Sequence, residues 1–384
     1  MNSDNKYCSP KNNNNSYTCF TNKSLKKIAN AYNKENSDKI KIPTKINRKE
    51  RNNLWKSIKM KMNKLNNKCE SDYCLLNNRL INNLNVHEDF RPEMPKEWMN
   101  DDRTWLSTVD IKEVMDQYMI KFSKKNKEGG FLFIGPVPVD FDHKISFGSC
   151  ISDELCNINI NSLLKKNVNK IGVVFNLDPH YKSGSHWTAL FADLKVGAVY
   201  YFDSYGIKPP DEVSILMERI RKQMNNLLKN RKISISDKYN EYSKFSKKNL
   251  NSVLINSDNF KEDYVTYFGK KSKNNITIFK DSVNNIKELK VYPLKKGGGN
   301  KKIECVLKNK INLPSDSNVI VMKSFRTMYN DNRFQFKNSE CGVYSMHFIE
   351  EFLNGKDFEE IIQNIIHDDE INKKRNMYYR PNLE

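Results

Sequence analysis

The stretch Gln335–Leu353, QFKNSECGVYSMHFIEEFL, decides how the rest of the chain is read. A polar loop holding one cysteine, Cys341, meets Gly342 and then the apolar positions Val343, Met346, Ile349, Phe352 and Leu353. Steps of three and four residues predict a helix with a buried face, so Cys341 stands at its first turn or one residue before it. Free backbone N–H groups and the positive dipole end lie there, and both favour a negatively charged sulfur. Gly342 allows another backbone or a substrate to come close. Gln335, six residues upstream, carries an amide able to donate to an oxyanion. An arbitrary Cys-Gly is more often a buried, inert thiol, and what decides against that here is a second stretch.

That stretch is SHWTALFADL, Ser185–Leu194, followed by VYYFDSYG, Val199–Gly206. Both read as strands, with a turn signal at Lys195-Val196-Gly197 between them. Paired as a hairpin, they bring His186 and Asp203 to matching ends. A thiol nucleophile needs a base within hydrogen-bond reach and a third group to orient that base. His186 is the candidate base and Asp203 the candidate orienter. His347, His180 and His143 compete poorly, since His347 falls two turns into the helix and the other two sit in loops. No His-x3-His pair suggests a metalloprotease.

Taken in order, His186-Trp187, Asp203-Ser204 and Gln335-x5-Cys341-Gly342 resemble the ubiquitin-like-protein (SUMO) proteases and adenain-like cysteine proteases of clan CE. The Trp105–Ile111 stretch resembles the opening of that domain. The run Phe131–Phe141 is similar, more narrowly, to thiol proteases of nucleocytoplasmic large (giant) DNA viruses, as is the C-terminal Asp368-Asp369-Glu370…Arg375…Tyr378-Tyr379. The resemblance spans about residues 95–380. It implies an α+β, papain-like fold with a central mixed sheet flanked by helices. It implies Cys341, His186 and Asp203 as catalytic residues, Gln335 in the oxyanion hole, and Trp187, Trp105 and Asp110 at the substrate. With Trp187 roofing a narrow channel, cleavage after glycine in Gly-Gly or Ala-Gly contexts is expected, with no metal and no cofactor.

The 384 residues carry 65 Lys and Arg against 46 Asp and Glu, a net charge of +19. That balance favours nucleic acid, an anionic membrane or an acidic substrate as partner. Mean hydropathy is −0.76, low for a wholly compact chain. No apolar run is long enough to span a membrane and the N-terminus is polar, so neither a span nor a signal peptide is expected. The eight cysteines are dispersed and read as reduced thiols of a cytosolic compartment.

The expected organisation is a basic, Asn/Lys-rich N-terminal extension over 1–90, partly disordered, and a protease domain over 91–384. Residues 1–40 read as a mobile tail, Lys41–Lys68 as a basic amphipathic helix suited to nucleic acid or resting on the domain, and 76–96 as a linker. Helices are expected over Val109–Phe122, Ile151–Lys165 and Asp211–Asn230. Strands are expected at Phe131–Phe141, broken by Pro136 and Pro138, and at Ile171–Leu177. A Lys/Asn-rich insertion with some structure of its own spans 231–312. Ser317–Met322 then resumes the main sheet, and a loop over Arg326–Glu340 carries Gln335 to the site. Three functions fit: a viral endopeptidase maturing structural polyproteins and travelling in the virion and host cytoplasm; a cytoplasmic or nuclear deconjugase of a ubiquitin-like modifier; or an inactive module whose basic tail binds nucleic acid.

Overall fold

The computed structural model describes residues 7–12, 17–65, 72–101, 103–123, 129–145, 148–229 and 325–382, together with strands between 240 and 323. Its centre is a five-stranded mixed sheet in the order β1-β2-β3-β4-β12. These strands are β1 (Gly130–Pro138), β2 (Val168–Asn176), β3 (Trp187–Asp193), β4 (Ala198–Phe202) and β12 (Arg326–Tyr329). β1 and β2 are parallel, as are β4 and β12, while β2-β3 and β3-β4 pair antiparallel.

β3 lacks polar alternation because both faces of the sheet are covered. Trp187, Ala189 and Phe191 join one core with Val343, Met346, Ile349 and Phe352 of helix α8 (Cys341–Leu353). Leu190 and Ala192 join the opposite core with Val213, Leu216, Ile220 and Met224 of helix α7 (Asp211–Lys229). α8 is buried on nearly every side, and Phe191 stacks on its Phe352 with ring centroids 4.5 Å apart. Helix α4 (Thr108–Lys121) closes the same layer, its Ser107 and Asp110 forming a reciprocal capping box. Among the described residues no helix is long and apolar enough to cross a membrane.

Several expectations need correction. β1 continues through Pro136 to Pro138 with a register shift after Ile134, so the prolines bend the strand without ending it. The helix expected over Ile151–Lys165 is two short ones, Asp153–Cys156 and Ile160–Lys165; Asn159 caps the second by accepting from Ser162 N–H. The SNVIVM run is strand β11 (Asn318–Lys323), but it pairs with β5 (Asn240–Lys244) and β7 (Tyr264–Ser272), and with β8 (Asn275–Ile278) these form a separate four-stranded sheet ordered β5-β11-β7-β8. A short apolar run identifies a strand without identifying its partners. The main sheet instead gains β12, from the first residues of the expected Arg326–Glu340 loop. Within the span expected as an insertion, β6 (Ser252–Ser257), β9 (Ile286–Tyr292) and β10 (Lys301–Leu307) form a third sheet.

The tail expectation also changes for the described residues. Helices α1 (Asn22–Glu35) and α2 (Arg48–Leu65) share a core of their own, in which Leu25, Ile28, Tyr32, Leu54, Trp55, Ile58 and Met62 are buried. Phe20 packs against Trp55 and Phe90 at 5.5 and 4.8 Å. The expected linker is tied down as well: Phe90 is buried, and its carbonyl accepts from Gln117 Nε2 of α4 at 2.7 Å. Cys8–Cys19 and Cys150–Cys156 are disulfides, against the expectation of reduced thiols throughout. Their Cα atoms lie 4.9 and 6.3 Å apart, within bridging reach. Cys341 is the free cysteine among the described residues.

Candidate active site

The β3–β4 hairpin fixes the first half of the site. His186 immediately precedes β3, and its carbonyl accepts from Leu177 N–H at 2.9 Å, extending the β2–β3 ladder by one step. Asp203 follows Phe202, the last residue of β4, which lies opposite Ala189. The register therefore brings the two side chains together: His186 Nε2 lies 2.8 Å from Asp203 Oδ1. Asp203 is fully buried. Its backbone is clamped by Asn330, whose Oδ1 accepts from Asp203 N–H and whose Nδ2 donates to Asp203 C=O, at 2.9 and 2.8 Å. Tyr205 N–H donates to Asp203 Oδ1 at 2.8 Å, and the Tyr205 ring stacks on the imidazole with centroids 4.7 Å apart.

Helix α8 supplies the second half. Cys341 is its first residue and is buried. Glu340 at the cap position places no side chain on the free N–H groups of the first turn. Gly342 stands at a close approach. A Cβ there would lie 3.0 Å from Leu106 Cδ1, 3.1 Å from Leu106 Cβ and 3.3 Å from Trp187 Cδ1. Trp187 is held over this point by its Nε1–H, which donates to Leu106 C=O at 2.9 Å.

Burial pulls the His186 pKa down, but hydrogen bonds to Asp203 and Cys341, with the charges on both, overcome it and push the value up to about 9. Nε2 is committed to Asp203, which leaves Nδ1 free of that carboxylate. The imidazole thus has a buried carboxylate on one edge, and Cys341 lies close enough to raise its pKa.

Gln335 is buried, and its backbone N–H and that of Phe334 both donate to Ser204 C=O at 2.8 Å. Its Oε1 accepts from Ser204 Oγ at 2.7 Å and its Nε2 donates to Lys337 C=O at 2.8 Å. One amide hydrogen of Nε2 is thus engaged within the loop and one remains. The loop itself is held from the C-terminal segment. Asp368 Oδ2 accepts from Phe336 and Lys337 N–H at 2.8 and 2.9 Å. Arg375 donates to Ser339 C=O at 3.0 Å and to Thr104 C=O at 2.8 Å.

The sequence reading brings His186, Asp203, Cys341, Gln335 and Trp187 into this one region. Trp105 is 45% exposed, and Asp110 spends a carboxylate oxygen on Ser107 N–H at 2.7 Å in the cap of α4. The member of that stretch that touches Gly342 and Trp187 is Leu106, which sequence reasoning passed over, as it passed over Asn330 and Tyr205. Asp368 and Arg375 stood in the C-terminal resemblance without a role.

A mixed sheet with a buried helix that begins at a cysteine, and a carboxylate-held histidine on a hairpin, is the arrangement expected of papain-like thiol hydrolases. Comparison with known proteins narrows this. The family described as "Ulp1 protease family, C-terminal catalytic domain" matches residues 157–261, a span that contains His186 and Asp203 and ends before Cys341. A protein of Acanthamoeba polyphaga mimivirus assigned as a thiol protease is 28% identical over 94% of this chain and 89% of that one. A SUMO-1 cysteine protease of African swine fever virus is 23% identical over 41% of this chain and 60% of that one. The crystal structure of the African swine fever virus protease superposes with a TM-score of 0.53 at 16% identity, covering 100% of this chain and 98% of that one, which is a likeness of fold. The chain is thus similar to Ulp1-like cysteine proteases in sequence over residues 157–261 and to a viral cysteine protease in fold.

Proposed function

We propose that this chain is a cysteine endopeptidase that cleaves after glycine, with Cys341, His186 and Asp203 as its catalytic residues. The observation that carries the proposal is the His186 imidazole, hydrogen-bonded to buried Asp203 and with its pKa raised by nearby Cys341. The sulfur attacks the scissile carbonyl carbon, and the carbonyl electrons move onto oxygen. The Cys341 backbone N–H and the remaining Gln335 amide hydrogen hold that oxyanion, each such donor lowering the barrier by about 3–4 kcal/mol. As the C–N bond breaks, His186 Nδ1–H protonates the departing amine. Water then adds to the thioester with Nδ1 taking its proton, and the thiol is released. Trp187, packed over Gly342, supports the expectation of a channel too narrow for side chains larger than a methyl.

The substrate proposed is a viral structural polyprotein with Gly-Gly-X or Ala-Gly-X sites, processed in the virion or host cytoplasm; similarity to the mimivirus protein supports this reading. A second reading, deconjugation of a ubiquitin-like modifier, is supported by the name carried by the African swine fever virus relative. Residues 1–90 are proposed as a basic accessory unit that locates the enzyme on nucleic acid, and 91–384 as the protease domain. Incubating the purified chain with Gly-Gly-X peptides and with modifier conjugates separates the readings. Peptide cleavage lost in Cys341→Ala supports the endopeptidase, conjugate cleavage alone supports the deconjugase, and cleavage that survives Cys341→Ala removes the thiol mechanism.

A further inference from the structure

We propose that Arg333 forms a subsite for a substrate carboxylate, making the enzyme select an acidic residue within about three positions of the scissile bond. The inference rests on the endopeptidase reading and adds a specificity determinant to it. Arg333 lies at the surface on the loop that carries Gln335. Its guanidinium lies 5.3 Å from the Tyr205 ring centroid and 4.9 Å from that of Phe336, and Nε–H donates to Gln335 C=O at 2.7 Å. Three contacts thus fix a long side chain that would otherwise be mobile, while Nη1 and Nη2 have no hydrogen-bond or ion-pair partner among the described residues.

The other cation of this loop behaves differently. Lys337 Nζ is paired with Asp369, which also receives Arg103. Arg333 is left as an unneutralised charge held in place. A planar guanidinium stacked on aromatic faces, with its outer N–H groups directed to solvent, is prepared for two-point binding of carboxylate. Because it is already ordered, a ligand loses less side-chain entropy in meeting it than in capturing a free lysine.

Its place relative to the chemistry is bounded. Tyr205 stacks on His186 at 4.7 Å and carries Arg333 at 5.3 Å. The guanidinium carbon therefore lies no farther than about 10 Å from the imidazole centre, the reach of about three extended residues. Phe336, 61% exposed beside it, offers an apolar wall to the methylene groups of a bound Glu.

The test uses the full chain and a set of fluorogenic peptides built around Gly-Gly, with Glu, Gln or Lys placed singly at each of three positions on either side of the scissile bond. At one position kcat/KM for Glu is expected to exceed that for Gln by about fivefold or more, carried mainly by KM, and to shrink with added salt. Arg333→Gln is expected to erase that discrimination, and Arg333→Glu to reverse it in favour of Lys; circular dichroism checks that both variants fold. Wild-type cleavage that treats Glu and Gln alike at every position overturns the subsite alone. So does an Arg333→Gln variant that keeps the Glu preference. Absence of cleavage of every peptide by the wild-type chain overturns the endopeptidase reading, and the subsite with it.

Discussion

His186 turns Nε2, and not Nδ1, toward Asp203, at 2.8 Å, so the nitrogen nearer the backbone stays free of the carboxylate. With the more distant nitrogen held by a fully buried carboxylate and the ring covered by Tyr205, the imidazole is constrained on an edge and a face.

The first expectation concerns charge on that ring. Its pKa stands at about 9, above the ordinary 6.5, so the stabilisation it brings is complete below pH 6.5 and is lost as pH rises through about 9. Urea unfolding midpoints should therefore fall between about pH 6 and about pH 10 by more in the wild type than in His186→Gln. An equal fall in both proteins would remove His186 as the source.

Cys341→Ala deletes a hydrogen bond and a charge that hold the proton on His186. The imidazole resonance, followed by NMR, should then titrate at lower pH than in the wild type. A titration that does not move would mean that the thiol fails to reach the ring.

Gln335→Ala should lower kcat about 100- to 1000-fold with little change in KM. It also strips Ser204 Oγ and Lys337 C=O of their partners, so a loss of about 1–3 kcal/mol in stability should accompany it. Kinetics with a parallel thermal melt separates the two effects: a KM rise at constant kcat would make Gln335 a substrate-binding residue.

Asp368 holds two consecutive backbone N–H groups of the loop beside Gln335, and its other oxygen accepts from Tyr344 OH at 3.2 Å. Asp368→Ala leaves the two N–H groups without partners, while Tyr344 OH keeps Ile366 C=O, and is expected to cost about 2–3 kcal/mol of stability, with kcat reduced about tenfold or more through a displaced Gln335. Combined with Gln335→Ala, it should add little further loss in kcat. Additive losses would show that Asp368 acts elsewhere.

These residues differ in how they could be read from sequence. Cys341 heads a periodic helix, and His186 and Asp203 end two adjacent strands, so local pattern suffices to find them. Asn330 has no such signature: it holds the backbone of Asp203 across 127 residues, and nothing near Asn330 announces a distant peptide. The N-terminal core shows a different failure. Leu25, Ile28, Ala29 and Tyr32 do carry helical spacing, but Lys and Asn on either side lower the average hydropathy enough to suggest a mobile tail. β11 was legible as a strand and not as a member of its sheet, because pairing is set by tertiary context.

The last expectation tests the crowding at Gly342. An added methyl at this position meets Leu106 at 3.0 and 3.1 Å and Trp187 at 3.3 Å, closer than ordinary carbon contacts of about 3.5–4.0 Å. Gly342→Ala should therefore push α8 and the indole apart, costing about 1–3 kcal/mol and misplacing the sulfur relative to His186. Leu106 supplies the two shortest contacts and is itself buried. Leu106→Ala alone should cost about 2–5 kcal/mol by opening a cavity. In the double variant the new methyl occupies part of that cavity, so the combined loss of stability should be smaller than the sum of the single losses. Activity should recover less than stability, since the enlarged floor no longer fixes Trp187 as firmly. Strict additivity in a double-mutant cycle read by urea unfolding would show that Leu106 is not what excludes a side chain at position 342.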